Sequence, residues 1–199
     1  MAANVEYEVT TWNQIYAALI KQAECIWDSF KPDVIVGICR GGWIPARVLS
    51  DLLDNPNLAN VRTESYTGIE RAVDQPILTQ EVSMDVKGKK VLIVDEIVDS
   101  GESLKLIIDH INQQGASEVK TATLYYKPSS IIKPDYYEKE TSKWIIFPWE
   151  TKETLKEIYK IHKDNAEQLK KQIQKIAAAG MSKSIINQFL KNQSEATKC

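Results

Sequence analysis

Apolar residues recur at helical spacing near the start of the chain. From Thr11 onward, eight apolar positions fall on one helical stripe, which predicts an amphipathic helix with Thr11 as its N-cap. These positions are Trp12, Ile15, Tyr16, Leu19, Ile20, Ala23, Ile26 and Trp27. Residues 31–33, Lys-Pro-Asp, are predicted to end the helix, because proline cannot donate the backbone hydrogen bond that a helix interior requires.

Compact apolar runs alternate with further helical segments over the rest of the first 150 residues. The strand-like runs are residues 34–38, 91–94, 119–126 and 144–147. Helical segments are predicted at about residues 45–53 and 103–113, and Gly115 ends the second. Apolar strands that alternate with amphipathic helices are typical of a parallel sheet covered on both faces.

Polar or glycine-containing loops follow three of these strands. They comprise residues 40–42, 95–103 and 127–128. Ligands of open parallel sheets bind at the carboxyl ends of the strands, so these loops are candidate ligand contacts. Residues 66–80 carry turn signals without clean periodicity, and we expect a long mobile loop there.

Composition indicates an ordinary globular protein of 199 residues, 43% hydrophobic and 26% charged. No apolar run reaches the roughly 18 residues that a membrane span needs. The N-terminal residues also lack the basic and apolar regions of a secretory signal. Three cysteines, an odd number without metal-like spacing, favour a reducing compartment, so we expect a cytoplasmic protein without a membrane partner.

Charge divides the chain into an acidic body and a basic tail. Residues 151–199 carry ten Lys and five Asp or Glu, a balance of +5, whereas residues 1–150 carry 15 basic and 22 acidic residues, a balance of −7. This asymmetry raises the question of an anionic partner for the tail.

The segment VLIVDEIVDSGESL, residues 91–104, combines a buried strand with an acidic pair and a glycine-containing helix start. Carboxylates at Asp95 and Glu96 can accept hydrogen bonds from two neighbouring sugar hydroxyls or hold water on a Mg²⁺ ion. Gly101 lets the backbone approach a ligand closely. The N–H groups of the helix N-terminus, with the Ser100 and Ser103 hydroxyls, suit a phosphate group.

This combination closely resembles the phosphoribosyl pyrophosphate (PRPP) signature of type I phosphoribosyltransferases. The segment VGICRGGWIPAR, residues 36–47, is similar to the pyrophosphate-binding loop of the purine enzymes. The segments LYYKPSS (124–130) and TSKWIIFPWE (141–150) are similar to base-binding segments of bacterial xanthine-guanine and archaeal 6-oxopurine phosphoribosyltransferases. The resemblance covers roughly residues 5–150. It implies a parallel sheet flanked by helices and a small base-binding hood, and a C-terminal helical extension follows outside the range of the resemblance.

The resemblance also assigns expected roles in PRPP binding. Residues expected to bind the ribose and 5-phosphate are Asp95, Glu96, Val98, Asp99, Ser100, Gly101, Glu102 and Ser103. Residues expected to bind pyrophosphate are Arg40, Gly41 and Gly42, with a cis peptide bond between Cys39 and Arg40. Asp95 and Glu96 would hold Mg²⁺, directly or through water.

The implied reaction transfers ribose 5-phosphate from PRPP to hypoxanthine, guanine or xanthine and releases pyrophosphate. Lys127, Trp144 and Ile145 would bind the purine base, and Asp99 would accept the proton that the base loses. Residues 66–80 would form a lid over the reacting centre, with Arg71 as a candidate pyrophosphate contact. The family usually forms dimers or tetramers, so we expect a homo-oligomer.

The tail is predicted as a separate region, which divides the chain into a transferase domain, 1–150, and a helical extension, 151–199. Helical spacing predicts one long helix to about Ala179, a stop at Gly180 and a second helix from Ser182 through Leu190. Residues 176–192 also resemble the helix-turn-helix of sugar-operon repressors, so nucleic acid could bind at 180–192. The commoner arrangement is a helical hairpin that packs on its own subunit or on a neighbour.

Two alternatives to 6-oxopurine salvage stay open at this point. A purine- or PRPP-sensing transcription regulator could use the same fold together with the C-terminal helices. An enzyme of the same fold could also act on another base, such as adenine or orotate. A pure sensor has no need of a leaving-group loop such as residues 40–42, which favours an active enzyme.

Overall fold

Strands and helices alternate along most of the chain in the computed structural model, which describes residues 5–66 and 75–196. In order they are β1 (Tyr7–Val9), α1 (Trp12–Ser29), β2 (Val34–Cys39), α2 (Trp43–Leu52), β3 (Leu58–Tyr66), β4 (Gln75–Gln80), β5 (Lys90–Val98), α3 (Glu102–Gln113), β6 (Glu118–Tyr126), β7 (Tyr136–Glu140), β8 (Trp144–Ile146), α4 (Thr151–His162), α5 (Ala166–Ala178) and α6 (Lys183–Ala196). Two compact units are present. One comprises residues 15–142, and the other joins the residues up to Gln14 with those from Lys143 onward.

The unit of residues 15–142 is built on a six-stranded sheet with the order β4-β3-β2-β5-β6-β7. Neighbouring strands are parallel except β3 and β4, which pair antiparallel. The central strands β2 and β5 are rich in β-branched residues that are almost fully buried, as expected for strands covered on both faces. The sequence prediction of a parallel α/β sheet is confirmed.

Helices cover the two faces of this sheet. On one face, the buried side chains of α3 pack with alternate residues of β2 and β5. On the other face, α2 approaches β2 so closely that a Cβ at Gly37 would lie 2.9 Å from the Cβ of Ala46. Because β2, β5 and β6 are parallel neighbours, their carboxyl ends meet at one edge of the sheet, and the loops that follow these strands lie there.

Residues 66–80 differ from their predicted description as one long loop. Gln75–Gln80 forms β4, which pairs with β3 at the edge of the sheet. Pro76 is compatible with this position because an edge strand has one side without ladder hydrogen bonds. Pairing with β3 is a non-local contact that the local turn signals could not reveal. Residues 67–74, including Arg71, lie outside the described residues.

The other unit contains the parallel pair β1 and β8 together with α4, α5 and α6. The prediction of one long helix to Ala179 is wrong, because α4 ends at His162 and a new helix begins at Ala166. Asn165 caps α5 by accepting a hydrogen bond from the N–H of Gln168 at 3.0 Å. Gly180 ends α5 with φ of 113°, as predicted.

The compact units divide at Lys143, whereas the division into a transferase domain and a helical extension at residue 150 stays a prediction. β8 begins at Trp144 and pairs with β1, so the last strand belongs with the tail helices rather than with the large sheet. No helix in the described part of the chain is long and apolar enough to cross a membrane.

Candidate active site

The acidic pair lies at the carboxyl end of β5. Asp95 Oδ1 accepts a hydrogen bond from the N–H of Glu96 at 2.9 Å. The carboxylate of Glu96 packs directly against Gly41, in the loop after β2, where a Cβ would overlap it. Its Oε2 is buried without a hydrogen-bond partner in the described part of the chain. The acidic pair and the Arg40-Gly41-Gly42 loop therefore form one contiguous site.

Burial perturbs the titration of both carboxyl groups. Loss of solvent raises the pKa of Asp95 from 3.8 to about 6, against the opposing hydrogen bonds from Glu96. Burial, and next the charge of Asp95, raise the pKa of Glu96 well above its usual range, while Arg40 acts in the opposite direction. Two acids held close together in a site of this kind are poised to receive a cation or hydroxyl donors.

In the loop after β2, space requires glycine at position 42 more firmly than at position 41, where a Cβ would meet only the end of the Glu96 side chain. A Cβ at Gly42 would lie 2.5 Å from the Val94 carbonyl oxygen and 2.8 Å from the Asp95 Cα. Because the backbone of Gly42 has an ordinary φ of −64°, the requirement is steric. The loop packs so closely on the end of β5 that a side chain at position 42 would overlap the backbone of that strand. The peptide bond between Cys39 and Arg40 is cis, as the resemblance implies.

The loop after β5 presents the N-terminus of α3. Gly101 is the N-cap residue with φ of 87°, a conformation that favours glycine, and it provides no side-chain cap. The first N–H groups of a helix have no intrahelical acceptor; that of Glu102 donates to Ser100 Oγ at 3.3 Å, and those that follow can receive an anion. Asp99 and Ser100 are exposed before the helix, whereas Ser103 is half-buried in its first turn.

A second loop supports this helix start from outside. The N–H of Ile131 donates to the Ser100 carbonyl at 2.9 Å, and a Cβ at Gly101 would lie 2.5 Å from Ser130 Oγ. The same loop begins at Lys127, whose N–H donates to the Val98 carbonyl at 2.8 Å. Sequence reasoning did not identify the supporting role of Ser130 and Ile131. The Lys-Pro-Ser-Ser turn was the only local signal.

The other two expected base contacts lie in the unit that contains β1 and β8. The Trp144 side chain is 52% exposed, and Ile145 is buried. The Trp144 N–H donates to the Glu6 carbonyl, and the Ile146 carbonyl accepts from Thr10. Because alternate residues of a strand point their backbone groups to opposite sides, the N–H and carbonyl of Ile145 face away from β1. Strand β8 therefore presents an aromatic ring at Trp144 and, at the next residue, a backbone N–H and carbonyl that do not pair with β1.

The donor set suits Mg²⁺ bound together with a phosphate-bearing substrate. Within residues 5–66 and 75–196, no group of three or more His, Cys, Asp or Glu forms a metal cage. Magnesium commonly takes only one or two carboxylates and keeps water and substrate oxygens as its other ligands. The partnerless oxygen of Glu96 beside the Asp95 carboxylate fits that pattern.

The raised pKa of Asp95 predicts a stability effect in the ligand-free protein. The unfolded chain releases the Asp95 proton near pH 4 but the folded chain does so near pH 6, so folding stability falls across that range. Asp95→Asn is therefore expected to raise the melting temperature by a few degrees near pH 8. Near pH 4 the gain should vanish.

Thermal melts of the wild type and the variant at both pH values check this prediction. Asp109→Asn, the same change at an exposed position of α3, is the matched control and should show no pH-dependent gain. An Asp95→Asn protein that melts at or below the wild-type temperature near pH 8 would contradict the assigned burial.

Comparisons with known proteins agree with this arrangement. Residues 7–154 match the family model of the phosphoribosyl transferase domain. The chain is 35% identical over 118 residues to a xanthine-guanine phosphoribosyltransferase of Cereibacter sphaeroides, covering 58% of this chain and 68% of the relative. It is 27% identical over 153 residues to the hypoxanthine-guanine phosphoribosyltransferase of Saccharomyces cerevisiae, covering 68% of each chain.

A solved structure shows the same relationship. The purine phosphoribosyltransferase of Pyrococcus horikoshii superposes with a TM-score of 0.67 and 39% identity, and the match covers 73% of this chain and 94% of that one. The family match spans most of the chain and includes the acidic pair, the Arg-Gly-Gly loop and the start of α3. The chain belongs to the phosphoribosyltransferase family.

Proposed function

We propose that the protein is a purine salvage enzyme that transfers ribose 5-phosphate from PRPP to a 6-oxopurine base. The products are a nucleoside monophosphate and pyrophosphate. The packing of Glu96 against Gly41 carries the proposal, because it joins a hydroxyl-binding acidic pair to a candidate diphosphate loop. The named purine phosphoribosyltransferases among its relatives support the same reaction.

Three sets of residues are proposed to bind the ribose, the 5-phosphate and the pyrophosphate of PRPP. Asp95 and Glu96 accept hydrogen bonds from the ribose hydroxyls. The N–H groups at the start of α3, with the Ser100 and Ser103 hydroxyls, bind the 5-phosphate. Val98, Gly101 and Glu102 supply the backbone that shapes this loop.

The loop after β2 holds the pyrophosphate, with the Arg40 guanidinium and the amides of Gly41 and Gly42 as donors.

Mg²⁺ would be held by Asp95 and Glu96, directly or through water, together with oxygens of PRPP. When bound, it supplies positive charge that offsets the charge of the departing pyrophosphate. Arg40 adds charge of the same sign from the other loop. The Arg40 guanidinium would stabilise the pyrophosphate oxygen that takes the electron pair when its bond to ribose C1 breaks.

Asp99 is the proposed proton acceptor. As the base nitrogen bonds to ribose C1, its proton must leave, and a carboxylate within hydrogen-bond reach can take it. Asp99 lies between the ribose-binding pair and the phosphate-binding helix, and it is exposed to an incoming base. Its position between these two elements supports a role at the point where ribose and base would meet.

The base is proposed to be bound by Lys127, Trp144 and Ile145. A Lys donor pairs with the O6 acceptor of hypoxanthine, guanine or xanthine, whereas the amino group of adenine would present a second donor. The half-exposed ring of Trp144 offers a face for stacking. The outward backbone groups of Ile145 offer one donor and one acceptor to the base edge.

A homo-oligomer, dimer or tetramer, is part of the proposal. Its support in this chain is a stripe of large apolar side chains on the outer face of α1. Tyr16, Ile20 and Trp27 are 52%, 38% and 50% exposed. Exposed apolar patches of this kind commonly mark contacts between proteins.

The proposed base specificity is tested with purified protein, Mg²⁺, PRPP and a panel of bases. Nucleotide formation should occur with at least one of hypoxanthine, guanine and xanthine. Adenine and orotate should give a kcat/KM lower by at least about 100-fold, because a donor in the site would face the wrong group. A preference for adenine or orotate would overturn the proposed role of Lys127, and no product with any base would overturn the proposed function.

A further inference from the structure

The tail contains three helices around one core rather than a helical pair. α4 packs against both α5 and α6. Four buried side chains span the turn between α5 and α6, namely Ile176, Met181, Ile186 and Phe189. The turn passes through Gly180 in a left-handed conformation. A third helix supporting a helix-turn-helix is the general plan of compact DNA-binding domains.

The exposed face of the first two turns of α6 is mostly polar and carries no acidic group. Lys183, Ser184, Asn187 and Gln188 are all exposed, and they occupy the first two turns of the helix. Ile185 lies among them with 38% of its surface exposed. Amide, hydroxyl and ammonium groups with one apolar contact are the chemical types that read base edges in a major groove.

Charge on this part of the chain complements a polyanion. Residues 168–194 contain no Asp or Glu and carry Lys170, Lys171, Lys175, Lys183 and Lys191. The first 150 residues have a balance of −7, so the positive charge is confined to the tail. A basic segment on an otherwise acidic chain is the electrostatic pattern of nucleic-acid binding.

The helices are also fixed in place, as a docking surface requires. Tyr7 Oη donates to Gln172 Oε1 at 3.1 Å, and Lys175 Nζ donates to the Val5 carbonyl at 3.3 Å. Both bonds tie α5 to the segment that contains β1. A rigid support of this kind lowers the ordering cost when α6 binds a partner.

We propose that α6 docks in the major groove of duplex DNA. Asn187 and Gln188 are placed to hydrogen-bond base edges, and Lys183 contacts the phosphate backbone near the N-terminus of the helix. The Ile185 side chain meets thymine methyl groups. This binding goes beyond the transferase reaction and does not depend on it.

Fluorescence polarisation of the full chain with a labelled random-sequence duplex tests the proposal. We expect an affinity on the order of micromolar at about 50 mM salt that weakens steeply by about 200 mM. Lys183→Ala should weaken binding about three- to tenfold and reduce the salt slope by about one. Lys87→Ala, an exposed lysine in the unit of residues 15–142, is the matched control and should bind as the wild type does.

Selection from the same random library separates base reading from charge alone. The wild type should enrich a defined sequence, and the double variant Asn187→Ala, Gln188→Ala should lose that enrichment while it keeps most non-specific affinity. Four results would overturn the proposal: no duplex binding at low salt, equal loss in Lys183→Ala and Lys87→Ala, tighter binding of single-stranded DNA or RNA, or a change of oligomeric mass in Lys183→Ala. Circular dichroism melts confirm that each variant is folded.

Discussion

Gly42→Ala is expected to lower PRPP turnover by at least about 100-fold although the sheet still folds. The new methyl group would meet the Val94 carbonyl oxygen, the Ile38 carbonyl oxygen and the Asp95 Cα, all at less than 3 Å. These are backbone atoms that cannot rotate away, so the whole loop after β2 must move. A displacement of about 1 Å in a positioning group can cost about 100-fold in rate, and we expect kcat/KM to fall by at least that factor.

Gly88→Ala separates this effect from general loss of stability. Gly88 has φ of 70°, so alanine is strained there, but among the described residues no atom beyond its chain neighbours lies within 4 Å of its Cβ position. That variant should lose stability, by about 1–2 kcal/mol, and keep its kcat/KM. Steady-state assays and thermal melts on both variants make the comparison. A Gly42→Ala enzyme with near wild-type kcat/KM would show that the loop does not bind pyrophosphate where we place it.

Asp99→Asn is expected to lower kcat by about 100- to 10,000-fold, the usual range for loss of a positioned proton acceptor. PRPP affinity should change little, because Asn keeps the shape and the acceptor oxygen while it loses the basic carboxylate. Calorimetric titration with PRPP and Mg²⁺ gives the affinity, and steady-state assays with a saturating base give kcat. A large loss of kcat with nearly unchanged PRPP affinity distinguishes a chemical role of Asp99 from a structural one.

Asp109→Asn is again the matched control, since it makes the same chemical change at an exposed position further along α3. Its kcat and its PRPP affinity should match those of the wild type. Equal losses of kcat and PRPP affinity in Asp99→Asn would count against Asp99 as the proton acceptor and assign it to substrate binding instead.

The central strands and the ligand loops could be predicted because their signals are local. Residues 34–38 and 91–94 are short β-branched runs, and both lie in central strands of the sheet. The loops that follow them carry the residue types that phosphate and hydroxyl groups require. Parallel topology then places those loops at one edge, so much of the site follows from sequence order alone.

Other features depend on contacts between distant residues. β3 is mostly polar after Val61 and so lacks a clear strand pattern, and its pairing with β4 is not visible in either segment alone. The close packing of Glu96 on Gly41 requires the exact approach of two loops more than 50 residues apart in sequence.

The break between α4 and α5 was missed for a different reason. Helical spacing of apolar residues continues through residues 163–165, and only the cap at Asn165 marks the boundary. A single capping hydrogen bond contributes about 1 kcal/mol, which apolar periodicity over a long window easily conceals.

Transfer of the ribose 5-phosphate group is the central claim, and the fate of a labelled 5-phosphate tests it most directly. PRPP radiolabelled in that phosphate is incubated with the protein, Mg²⁺ and guanine, hypoxanthine or xanthine, and the products are separated by chromatography. We predict that the label moves into the nucleoside monophosphate, with one pyrophosphate released for each nucleotide formed. Label that stays in PRPP, or appears only in free ribose 5-phosphate, with all three bases would contradict the account.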